Sequence, residues 1–236
     1  MLFLTVFNRT EDLFTVPVMA MAMAMDTDTW KKNRIDIKTP PKRKNGTENY
    51  LKEMEINKTP IEGLIIFEPR IFGDERGSFF ESFNQNNFDN LTNNNFQFVQ
   101  DNQSLSKKSV LRGLHLQAPP FAQGKLVRVI QGAVLDVAVD VRKSSATFGK
   151  YFSIELSAEN NKQLWIPPGF AHGFLTMEND TIFGYKCTNY YNPLSERTIK
   201  WDDKLLNIDW KLKEAPLVSQ KDVLGIEFSN FASDFE

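Results

Sequence analysis

The chain has 236 residues, with 28 Lys and Arg against 30 Asp and Glu and an apolar fraction of 41%. That length fits one all-β domain plus a tail, the 20 Phe supply a sizeable core, and the near balance of charge speaks against a surface made for nucleic acid. The single Cys187 rules out an internal disulfide and fits a reducing, cytoplasmic compartment; no stretch approaches the roughly 20 apolar residues of a membrane-spanning helix, and no basic region of a secretory signal opens the chain.

Residues 1–53 show no sustained periodicity. They carry alternating Met and Ala over 19–25 and a basic, Pro-containing stretch over 31–44. Such a segment has little to bury and reads as a disordered or non-native extension, with Met54 as a natural start and 54–236 as the folded domain. From residue 61 the pattern changes to short β runs broken by turn residues: 61–67, 77–83, 96–104, 109–117, 126–130, 134–141, 151–156, 163–166, 173–177 and 181–191. The polar run 84–95 is the one expected helix or long loop. Gln131-Gly132 between two runs is a hairpin-like signal, and Asp136, Ala138 and Asp140 alternate with Val137, Val139 and Val141. Residues 201–231 read as short helical or irregular structure. Many short strands without intervening amphipathic helices suggest a sandwich or jelly roll.

The chain has two histidines, His115 and His172. A metal site of the three-histidine cupin type cannot be assembled from them, and Gln117 stands where a second metal-binding His would follow His115. Metal-free acid–base chemistry with carboxylate, Lys and Tyr partners remains. In a regular strand His115 faces away from Leu114 and Leu116, and Arg112, three residues earlier, falls on the opposite face unless a bulge re-aims it. His172 follows a Pro-x-Gly-x-x-His turn. Tyr185 and Tyr191 share a face by even spacing, as proton donor or stacking platform, or else as core filling. Cys187, Trp165 and Trp201 read as packing residues.

Together the motifs Phe72-Gly73-Asp74-Glu75-Arg76-Gly77, Gln100-Asp101-Asn102, Leu111-Arg112-Gly113-Leu114-His115-Leu116-Gln117, Lys125-Leu126-Val127-Arg128-Val129, Pro167-Pro168-Gly169-Phe170-Ala171-His172-Gly173 and Trp201-Asp202-Asp203 resemble the dTDP-4-dehydrorhamnose 3,5-epimerase family. They run in the family's order from Met54 to about Phe231. The resemblance implies a cupin jelly roll with short helices, a homodimer, and no metal or organic cofactor. It also implies dTDP-4-dehydro-6-deoxyglucose as substrate, inverted at C3 and C5 by enolisation next to the C4 ketone.

On the matching positions, the resemblance makes His115 the general base, Asp222 the carboxylate that orients it, Tyr185 the proton donor and Lys125 the cation near the ketone oxygen. Arg76 and Arg112 match diphosphate contacts, and Tyr191 matches the aromatic that stacks on thymine. Glu81, Gln100, Asn102, His172, Glu196 and Lys221 match further ligand contacts. The competing readings are a related 3- or 5-epimerase, a 3,4-ketoisomerase, or a non-catalytic cupin binding module. Neither nucleic acid nor membrane is an expected partner.

Overall fold

The computed structural model describes residues 54–93 and 95–236. The reading of residues 1–53 as an extension lies outside them. Two antiparallel sheets face each other. In the first, the spatial order is β1 (Met54–Lys58), β2 (Ile65–Pro69), β10 (Gln163–Ile166), β7 (Lys125–Gln131), β12 (Thr181–Cys187) and β5 (Gln100–Ser106). In the second it is β13 (Glu196–Thr198), β6 (Val110–Gln117), β11 (Phe170–Thr176), β8 (Ala133–Asp140) and β9 (Tyr151–Ser157), with the short β14 (Leu217–Val218) added in parallel to β6. A separate hairpin joins β3 (Phe72–Asp74) and β4 (Gly77–Phe79). This is the expected all-β jelly roll.

The periodicity explains where the core sits. Val127, Val129, Val134, Ala138, Leu164, Phe174 and Phe183 turn inward from both sheets and form the central apolar layer. Within it Phe174 and Phe183 stack with centroids 4.1 Å apart, so truncating either to Ala costs about 3–5 kcal/mol. The outer face of the second sheet is covered by the irregular C-terminal part, through Ile199, Leu206, Trp210 and Phe231. Trp165 and Phe67 of the first sheet pack on Phe88 of helix α1 (Gln85–Thr92). That helix starts where the Asn84 side chain accepts from the Asn87 N–H and stops at Asn93 in the left-handed region. It lies inside the run where a helix or loop is expected.

Three sequence expectations need correction. Gln131-Gly132 is not a hairpin turn: β7 pairs with β10 and β12, β8 with β11 and β9, so the chain changes sheets there. Gly132 adopts φ +78°, and a Cβ on it would meet Thr181 Oγ1 at 2.5 Å, so this glycine serves a corner against β12. The fifth strand begins at Gln100 rather than 96, because Phe96 and Phe98 pack as loop residues beside Trp165. The last of the predicted runs stops at Cys187, which leaves Tyr190 and Tyr191 on a loop. The strands β1, β13 and β14 carry no alternation strong enough to announce them.

Candidate active site

A cavity of roughly 800 Å3 lies between the sheets and is lined from both. Its geometry starts with a bulge. His115 pairs with His172, yet Arg112 pairs with Phe174, so β6 spends three residues where β11 spends two. Gly113 carries φ +134°, and a Cβ there would fall 2.5 Å from the Gly173 Cα. A Cβ on Gly173 would fall 2.8 Å from the Arg112 carbonyl oxygen. Only two glycines allow this close crossing. The extra residue brings Arg112 and His115 into the same cavity, which regular alternation forbids.

His115 Nε2 is hydrogen-bonded to Asp222 Oδ1. Asp222 sits in α2 (Gln220–Val223), where the Ser219 hydroxyl accepts from its backbone N–H. Burial raises the Asp222 carboxyl, but the hydrogen bond and charge of His115, with Ser219 and Lys221, outweigh it and hold the group below the ordinary range. The carboxylate is therefore ionised at neutral pH and accepts a hydrogen bond from Nε2–H, which in the neutral ring leaves Nδ1 with the free lone pair.

Tyr185 reaches the cavity from β12. Burial, then the neighbouring Cys187 and Glu196, push its phenol up to about 12 against the opposing pull of Arg112. It is thus a proton-bearing group at working pH. Lys125, from β7, donates from Nζ to the His115 carbonyl oxygen at 3.3 Å, and burial pulls its ammonium below the usual range. A buried cation with spare donors suits an oxygen that gains negative charge.

The remaining predicted contacts surround this set. Arg112 donates to the Ser106 hydroxyl through Nε and Nη2, at 3.4 and 3.1 Å. Gln100 Oε1 accepts from the Tyr191 N–H at 3.0 Å, while its Nε2 donates to Asn102. Lys221 pairs with Glu196 at 2.8 Å, and the Tyr191 hydroxyl donates to the same carboxylate. His172 lines the cavity and gives Nε2 to Asp136 Oδ2 at 2.9 Å.

The family model described as dTDP-4-dehydrorhamnose 3,5-epimerase matches residues 58–230. The chain belongs to this family. It is 55% identical over 175 residues to the dTDP-4-dehydrorhamnose 3,5-epimerase of Shigella flexneri, covering 74% of this chain and 96% of that one. A crystal structure from Legionella pneumophila, described as dTDP-6-deoxy-D-glucose-3,5-epimerase in complex with dTDP-4-keto-L-rhamnose, superposes with a TM-score of 0.74 at 49% identity, over 76% of this chain and 95% of that one. ChmJ from Streptomyces bikiniensis, a 3'-monoepimerase solved with dTDP-quinovose, gives a TM-score of 0.71 at 32% identity, over 73% and 87%.

Two positions expected of this epimerase family to meet ligand do not line the cavity of their own chain. Arg76 lies on the β3–β4 hairpin, exposed and paired with Asp74 at 2.5 Å. Glu81 accepts from the Asn84 and Asn87 side chains at the start of α1. Conversely, two residues that sequence reasoning left out are in place. Gln117 Oε1 accepts from the Asn192 N–H at 2.9 Å, so Gln100 and Gln117 hold consecutive amides of the Tyr191 loop. Asp136 stands beneath His172, fully buried. An acidic residue inside a Val-rich strand was the available signal for it. Among the described residues, no group of three His, Cys, Asp or Glu side chains could hold a metal ion.

Proposed function

We propose that this chain converts dTDP-4-dehydro-6-deoxy-D-glucose to dTDP-4-dehydro-L-rhamnose, the epimerase step of dTDP-L-rhamnose biosynthesis. The observation that carries the reading is one cavity shared by an ordered base, His115 on Asp222, and a phenol kept protonated, Tyr185. A hydrogen on C3 or C5 is acidic because the C4 ketone accepts the electron pair. His115 takes the proton, Lys125 stabilises the enolate oxygen, and Tyr185 returns a proton to the opposite face of the carbon. Each inversion removes and replaces one proton, so no oxidant or cofactor enters the balance. Arg112 meets the diphosphate and Tyr191 the thymine, with Gln100, Asn102, His172, Glu196 and Lys221 around the nucleotide and sugar.

The test is exchange in D2O followed by NMR. Deuterium at both C3 and C5, with the L-lyxo product formed, is the expected result. Exchange at one carbon supports the second reading, a single-site epimerase, which the likeness to a 3'-monoepimerase favours. No exchange in folded protein moves the weight to a binding module.

The working unit in this reading is a cytoplasmic homodimer with neither nucleic acid nor membrane as partner. Ile71, Phe72 and Phe79 expose apolar surface around the Arg76 hairpin, and a second copy that covers it would account for the placing of Arg76 and Glu81 outside their own cavity. Light scattering of the full chain decides the dimer. Catalysis belongs to residues 54–236, so removing 1–53 should leave kcat/KM unchanged.

A further inference from the structure

Asp136 is buried on β8, on the face it shares with Val134 and Ala138, where it meets the interior between the sheets. Burial of a carboxylate is costly unless each oxygen is satisfied. Oδ2 is satisfied by His172 Nε2 at 2.9 Å. Oδ1 has no hydrogen-bond partner among the described residues. Lys125, on β7 of the facing sheet, lines the same cavity as His172, and Asp136 is among the charges that act on it, after Cys187. The His172 ring lies alongside Phe183, with centroids 6.1 Å apart and planes 20° from parallel. Nothing in the acid–base mechanism above uses Asp136.

We propose that Asp136 is a positioning residue, which locks His172 as the Nε2–H tautomer and supplies the countercharge for Lys125. With Nε2 spent on Asp136, only Nδ1 is left to meet a ligand, and it meets it as an acceptor. His172 therefore takes a hydroxyl hydrogen of the sugar and offers nothing to a ketone or enolate oxygen. Stabilisation of that oxygen falls to Lys125, whose charge survives burial with the help of Asp136. This inference builds on the epimerase reading. It divides the two buried nitrogen groups of the cavity into one acceptor of a hydroxyl and one donor to the enolate.

The surroundings support this division. The charged and titratable groups facing Lys125 are Cys187, Asp136, Glu196 and Lys221. Those facing His172 are Asp136, Lys125 and His115. Burial holds His172 below its ordinary range against the pull of Asp136, so the ring is neutral and must choose one tautomer.

The chain contains two histidines, so imidazole 15N labelling of the full protein gives two ring systems, and His115→Asn assigns them. The expected result is an Nε2–H signal for His172 at pH 7. An Nδ1–H tautomer or an imidazolium overturns the proposal. Asp136→Asn should then lower kcat/KM on the order of 10- to 100-fold, and shift the alkaline limb of the kcat profile to lower pH, since Lys125 loses its countercharge. Asp136→Glu should return the limb towards its original place. A limb unmoved in folded Asp136→Asn overturns the countercharge role, and the wild-type tautomer decides the rest if that variant does not fold. The tautomer is read without turnover. A chain that shows Nε2–H yet exchanges no deuterium would keep Asp136 and lose the epimerase reading.

Discussion

Two His–Asp pairs stand side by side at the cavity, since His115 and His172, which both line it, face each other in the β6–β11 register, with Asp136 buried behind His172. In both, Nε2 meets a buried carboxylate. They differ in what surrounds them. The His115 side chain is 25% exposed and its partner Asp222 comes from a four-residue helix near the C-terminus. The His172 side chain is 6% exposed and its partner Asp136 comes from β8, an interior strand of the same sheet. In the proposed reading the same two functional groups thus give a reactive base at the more open side of the cavity and a fixed recognition element at its more buried side. Environment, more than residue type, assigns the role.

The comparison is broken most severely at the reactive pair. His115→Ala should lower kcat by on the order of 10³-fold with the fold retained, read from initial rates and circular dichroism. Asp222→Asn should cost about 10²-fold, because the ring remains but its tautomer is no longer imposed. A His115→Ala enzyme of normal rate would remove the distinction between the pairs altogether.

A second, smaller effect separates the pairs by pH. The folded pKa of His172 lies below its ordinary 6.5, so the group favours the fold above that pH. Its contribution falls away as pH drops below 6.5 and is lost once the folded pKa is passed. Asp222 is also lowered, from 3.8, and its loss comes only in a still more acidic window. The melting temperature should therefore begin to decline just below pH 6.5, and His172→Gln should flatten that first decline and leave the second. Identical profiles for the two proteins would contradict the burial argument.

The smallest expected change concerns Lys125, which both pairs border. Its burial lowers the ammonium pKa, so holding the charge at pH 7 works against the fold. Lys125→Met should remove most activity and change stability in urea unfolding by no more than about 1 kcal/mol, because the relief of desolvation is set against the buried Asp136 charge left without its counterion. A destabilised variant would indicate that the Asp136 countercharge outweighs desolvation.

The strand runs were readable because apolar and β-branched residues alternate cleanly: 163–166 coincides with β10, and the expected 134–141 differs from β8 by one residue at each end. Strands of two or three residues such as β13 and β14 show no alternation to read, and their pairing is set by the C-terminal segment folding across the second sheet. At the site, the motifs around His115, Lys125 and His172 were legible, and Asp222 through its family match. The union of Arg112 with His115 was not, because it depends on a register shift that only the neighbouring strand reveals. Asp136 was hidden for a related reason. In the sequence its alternation with valine looks like a solvated face, whereas both faces of β8 are covered.

Gly113 and Gly173 contribute no functional group, yet they decide where the functional groups stand. A single added carbon at either would drive two backbones apart by about an ångström, a distance that proton transfer does not forgive. The positions least tolerant of change in this molecule therefore include the two with the least chemistry. A search for functional sites that weighs only ionisable side chains would pass over both, and so would a mutational library that treats glycine as neutral filler.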